Sequence, residues 1–162
     1  MAITTKEAKK FLQGFQRATL ELESLNEEHE RIISMLCSLT SDPSKSGGGS
    51  SGPSDNVGNG VVALMENCKK IDSEIKHYIA TRDNVRAVIR SVMYHNIVWG
   101  QSLHHRYINW DRPAVVALEM GYDERWERRI HNNALEYVAR LLEESGYDPA
   151  ETRPKKPVIS MI

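Results

Sequence analysis

The sequence predicts an all-α protein: a long antiparallel, coiled-coil-like helical hairpin followed by a compact helix-turn-helix module. Three observations lead there. Two long stretches carry apolar residues in unbroken 4-3 spacing, a Gly/Ser-rich run separates them, and residues 116–130 have the residue types of a sharp turn between two packed helices.

In the first stretch, Phe11, Phe15, Ala18, Leu22, Leu25, His29, Ile32, Leu36 and Leu39 follow one another at alternating intervals of four and three. Glu21, Glu23, Glu27, Glu28 and Glu30 surround this stripe, as in a coiled-coil seam. A helix over residues 5–40 would be about 54 Å long at 1.5 Å per residue.

Residues 41–60 hold six Gly, six Ser and two Pro, a composition that predicts a flexible loop, with disorder around residues 47–51. The second stretch resumes the pattern with Val57, Val61, Leu64, Cys68, Ile71, Ile75, Tyr78, Arg82, Val85, Ile89 and Val92. Neither helix can bury its stripe alone, so the two are expected to fold back on each other. That hairpin leaves Leu12, Ile33, Val62, Ile79 and Val88 as open apolar edges. Their exposure predicts a homodimer through residues 8–92. The polar His29 and Arg82 in the seams are expected to set register.

A third helix is predicted over residues 94–108, with Ile97, Val98, Leu103, Tyr107 and Ile108 as its apolar positions. Asp111-Arg112-Pro113 starts the next, since proline is tolerated in a first helical turn. Ala117 supplies the small residue where two helices touch, and Gly121 supplies the positive φ of a tight turn. Asp123 is placed to cap the helix that follows. Val116, Met120, Tyr122 and Ile130 should line the shared seam. Glu127 breaks the rule, because an aliphatic residue is wanted there. A slight helix rotation that turns Trp126 inward would fill the gap. This last helix should run over residues 124–144, with Trp126, Ile130, Ala134, Tyr137, Val138 and Leu141 facing inward, and end at Gly146. The domain boundaries are thus 5–93 for the hairpin, 94–146 for the helix-turn-helix and 147–162 for a disordered tail.

The outer face of the last helix carries Glu124, Arg125, Arg128, Arg129 and Asn132, the expected DNA-binding residues. Arginine and asparagine can each make paired hydrogen bonds to base edges in a major groove. The plainer alternative is a solvated face whose arginines pair with Glu124, Glu127 and Glu136. The 162-residue chain has a formal net charge of −1. Bulk electrostatics therefore do not announce a nucleic-acid binder. Between positions 82 and 145 stand nine Arg, no Lys and nine acids, which favours specific contacts over a diffuse cationic surface.

Leu103-His104-His105-Arg106-Tyr107-Ile108, then residues 116–122 (VALEMGY) and 128–135 (RRIHNNAL), resemble the sigma-70 region 4 type of helix-turn-helix. The version carried by short proteins of bacteriophages and integrated elements is the most similar. There the module follows an N-terminal helical arm interrupted by a Ser/Gly-rich loop, which residues 44–59 resemble. The resemblance implies a cytoplasmic, sequence-specific transcription regulator related to phage late-gene activators. Its implied partners are double-stranded DNA and RNA polymerase. Asp123 stands where Ser or Thr is common, and Glu127 where an aliphatic is usual. Both would bring negative charge toward the DNA. A DNA-packaging accessory resembling a small terminase subunit and a protein-interaction module without DNA binding are the other readings.

Enzymatic chemistry is not expected. His104 and His105 point about 100° apart on a helix and cannot easily share one metal ion. Cys37 and Cys68 lack Cys-x-x-Cys partners, and as free thiols in apolar-periodic helices they should be buried. No catalytic residue, metal or cofactor is predicted. With no signal-like segment and no membrane-length apolar run, the expected location is a reducing cytoplasm.

Overall fold

A computed structural model describes residues 2–41 and 56–150, and every regular element among them is helical. In order these are α1 (Thr5–Thr40), α2 (Asn56–His95), α3 (Ile97–Leu103), a π-helical turn (His104–Ile108), α4 (Pro113–Met120) and α5 (Glu124–Glu144). No described helix is long and apolar enough to cross a membrane. The described chain divides into two compact units, one of Met1–Leu20 with Ile79–Ile162 and one of Glu21–Tyr78. The sequence placed its boundary at 93/94, which falls in the last turn of α2. The observed division instead cuts α1 and α2 within their lengths, because the ends of both helices belong to the core of the C-terminal elements.

In the first unit, Ala8, Leu12 and Phe15 of α1 join Val85, Val88, Ile89 and Val92 of α2. Leu103 and Tyr107 add to this core, as do Ala134, Leu135, Val138, Ala139 and Leu142 of α5. Leu12 and Val88, expected as open edges, are completely buried here. The start of α1 is fixed by a capping box: the Thr4 hydroxyl accepts from the Glu7 amide at 3.3 Å, and the Glu7 carboxylate accepts from the Thr4 amide at 2.8 Å. The bonds from Thr4 hold the Glu7 carboxyl below its usual range. Arg82, a polar interruption of the seam, lays its guanidinium over the Phe15 ring at 5.2 Å.

The second unit has a thinner core of Leu25, Ile32 and Ile71, with Leu36, Leu64, Cys68, Ile75 and Tyr78 partly buried around them. His29 meets Asp72 at 3.3 Å, so the polar seam position is partnered. Cys68 is partly buried, but Cys37 is exposed, contrary to expectation, because it lies outside the 4-3 stripe. Ile33, Met35, Leu39, Val62 and Met65 are also exposed. For Leu39 this corrects its place in the seam.

Two other boundaries moved. Helix α2 begins at Asn56, inside the expected loop, whose residues 42–55 lie outside those described. The single helix expected over 94–108 is broken at Asn96. There the Asn96 Oδ1 accepts from the amides of Val98 and Trp99 at 3.0 and 3.2 Å and starts α3 as a new helix. The chain folds back so tightly that a Cβ on Gly100 would come within 2.5 Å of Met93 Cα. Asparagine at the break and glycine at the crossing are what the path demands. At the other end, Tyr147 is not part of a free tail: its ring meets Phe11 edge-on at 5.1 Å. Burial raises the Tyr147 hydroxyl pKa. The rest of the expected tail from residue 151 lies outside the described residues.

Candidate nucleic-acid interface

Helices α4 and α5 are joined by three residues. Gly121 adopts φ 72°, a left-handed conformation that glycine takes without steric cost. Its amide bonds to Leu118 O at 3.2 Å, and the Tyr122 amide reaches Ala117 O at 2.9 Å, closing α4 with the paired bonds of a Schellman motif. Asp123 then caps α5, its Oδ1 accepting from the Trp126 amide at 2.7 Å. The carboxylate whose charge threatened the outer face is held at the helix N-terminus, where the helix dipole favours it.

Ahead of this segment, the π turn carries the Asn109 amide to His104 O, and the Asp111 amide to His105 O. Trp110 between them sits at φ 64°, a conformation costing about 1–3 kcal/mol for a bulky residue. The His105 Nδ1–Asp111 Oδ2 contact of 3.0 Å closes the loop around it. Trp110 is partly exposed and strained at the entrance to α4. No periodicity argument could single it out, because positive φ at tryptophan has no sequence signature.

Glu127 is where the structure departs most from expectation. It is completely buried, and Trp126 is 46% exposed, so α5 has not rotated to bring the tryptophan inward. The Glu127 carboxylate accepts from Ser102 Oγ at 2.9 Å and from Arg106 Nε at 2.9 Å, and pairs also with Arg106 Nη2. Ser102 is itself fully buried. A buried carboxylate is tolerated only with such full pairing. One turn further on, His131 Nε2 lies 3.0 Å from the Tyr107 hydroxyl, both side chains buried. Burial, helped by the nearby Arg106 charge, pushes the His131 pKa down to about 4, so the ring is neutral at pH 7. Burial likewise raises the Tyr107 hydroxyl to about 12. The inner face of α5 is thus Glu127, Ile130, His131, Ala134, Leu135, Val138, Ala139 and Leu142. Tyr137 and Leu141 are only partly buried. Tyr122, expected in the seam, is exposed because the left-handed turn carries it off α4.

Glu124, Arg125, Arg128, Arg129 and Asn132 are all exposed. At 100° per residue they span about 140° of the helix circumference, one continuous face. Arg129 lies over the Trp126 ring at 5.9 Å. Arg125 and Arg128 make no ion pair among the described residues. The acidic residue expected to neutralise them, Glu127, is committed to Arg106 on the other side of the helix.

No group of three potential metal ligands gathers among the described residues; the rings of His104 and His105 stand 6.4 Å apart and nearly perpendicular. No family model, curated protein or solved structure matches this chain.

Proposed function

We propose that the chain is a sequence-specific DNA-binding transcription regulator of the phage type, whose segment α4–turn–α5 is a sigma-70 region 4-like helix-turn-helix. The observation that carries this reading is the division of labour on α5. Its one internal carboxylate is consumed by Arg106, and its outer face offers Arg125, Arg128, Arg129 and Asn132 directly after a glycine turn. In this reading α5 enters a major groove, Arg128 and Arg129 meet guanine edges or phosphates, Arg125 a phosphate or base, and Asn132 an adenine or the backbone. The exposed Ile33, Met35, Leu39, Val62 and Met65 support pairing with a second copy, which would present two reading helices to one site. RNA polymerase is the further partner that a region 4-like domain implies.

A second reading rests on α4. Leu118 is 79% exposed, and Val115 is exposed one turn before it. An apolar strip on the first helix of the motif favours a protein partner over phosphates.

The test is fluorescence anisotropy with duplexes selected from random sequence, at two salt concentrations, comparing the chain with its Arg128→Ala/Arg129→Ala form. Specific binding that weakens steeply with salt, and shows a shallower slope in the double variant, supports the DNA reading. No binding at low salt by folded protein retires it in favour of the α4 strip.

A further inference from the structure

A cavity of about 320 Å³ opens between α2 and the π turn, lined by Arg86, Ile89, Arg90, Met93, His104 and Ile108. We propose that it binds a small oxyanion carried on a short aliphatic body, of which a medium-chain carboxylate is the simplest example. The inference stands independently of DNA binding.

The lining divides by chemistry. Ile89, Met93 and Ile108 are aliphatic, and the polar members are two guanidiniums and an imidazole, with no carboxylate among them. Arg86 and Arg90 stand one turn apart on α2, so both reach the same mouth. Arg86 is partly engaged: it lies over Phe15 at 5.2 Å and has Asp83 at 4.0 Å. Arg90 is exposed and has no ion pair or ring contact among the described residues. A guanidinium without a partner beside a hydrocarbon wall suits a carboxylate or phosphate, which it binds in a paired, planar geometry. At roughly 30 Å³ per water-sized group the cavity takes about ten heavy atoms, near the lower limit of ligand sites. That matches an eight-carbon acid.

His104 adds a second handle. His104 is an exposed residue whose charged form is disfavoured by partial desolvation, by His105 and by Arg86, with Asp111 acting the other way. Arg90 lines the same cavity. An anion held between these cations would favour the imidazolium, so affinity should rise as pH falls toward and below the ordinary histidine range.

Octanoate, octyl phosphate, inorganic phosphate and hexanol would be titrated separately into the full chain, with NMR signals of the Met93 methyl and the His104 ring as reporters. The expected result is saturable shifts of both reporters with octanoate. Affinity should be higher at pH 6 than at pH 8, and roughly tenfold weaker in Arg90→Gln, whose fold is checked by circular dichroism. Tighter binding of octyl phosphate would keep the site and assign it a phosphoryl head. Absence of shifts, equal affinity in Arg90→Gln, or inorganic phosphate or hexanol binding as tightly as octanoate would overturn the proposal.

Discussion

The two units are built from the same two helices with the same 4-3 apolar spacing, yet they are buried very differently. In the Glu21–Tyr78 unit only Leu22, Leu25, Ile32 and Ile71 are buried among the described residues, and large apolar side chains such as Val62 and Met65 remain open. In the other unit Val85 and Val92 of the stripe are fully buried, and so are Leu12 and Val88 beside it, because α3 and α5 cover them from a second side. A seam states which face of a helix is apolar. What covers it is decided elsewhere in the chain. Opening free energies should follow burial, so the two units are expected to differ in hydrogen-exchange protection.

The strongest way to probe that difference is to unpair the buried ion. Glu127→Gln leaves the mostly buried Arg106 short of its counter-charge, and about 3–5 kcal/mol of stability should be lost in denaturant titrations. The paired replacement Glu127→Leu/Arg106→Met should recover most of this. Exchange protection should fall in the unit holding Glu127, while residues 21–40 and 56–78 keep theirs. A uniform fall would break the comparison and show one cooperative fold.

Acid should have a similar but smaller effect. His131 binds a proton near pH 4 when folded and near 6.5 when unfolded, so the unfolded state carries the extra proton between these values. The stability from the neutral ring is complete above pH 6.5 and lost as pH falls toward 4, about 3 kcal/mol in all. In His131→Asn this contribution to the pH dependence should vanish, as a series of denaturant midpoints would reveal.

Gly100→Ala is the mildest of the three. Its methyl meets Met93 backbone, which cannot swing aside as a side-chain tip would. About 1–3 kcal/mol should be lost, read as a lower thermal midpoint. An unchanged midpoint would mean that the α2–α3 crossing yields easily.

Much of this architecture is legible in the sequence where the signal is local. The bounds of α1 and α5 follow from periodicity and caps, and Gly121 and Asp123 act as a turn glycine and an N-cap should. Long-range pairings are not legible in that way. Glu127 reads as a misfit because its partner, Arg106, is 21 residues away on another element. His131 is hidden likewise, its buried neighbour Tyr107 being 24 residues distant. The stripe itself held a clue: Glu127 and His131 fall in phase with Ile130, Ala134 and Val138, so they belong to the inner face. Asn96 was also readable, since asparagine followed by an apolar run is a helix start. The candidate reading face was legible as a set of exposed residues. The commitment of Glu127 elsewhere, which leaves Arg125 and Arg128 without ion pairs among the described residues, was not.

The Glu127–Arg106 pair has a consequence for how this chain can change over generations. Either partner altered alone leaves the other's charge unpaired, fully buried for Glu127 and mostly buried for Arg106, so the two positions are tied, and a drifting lineage must cross a less stable intermediate to lose them. The exposed arginines of α5 have no such tether: each can be exchanged singly without disturbing the interior. The scaffold is therefore slow to alter while the outward face stays free to acquire new preferences, and related chains should vary at 125, 128 and 129 long before they vary at 106 and 127.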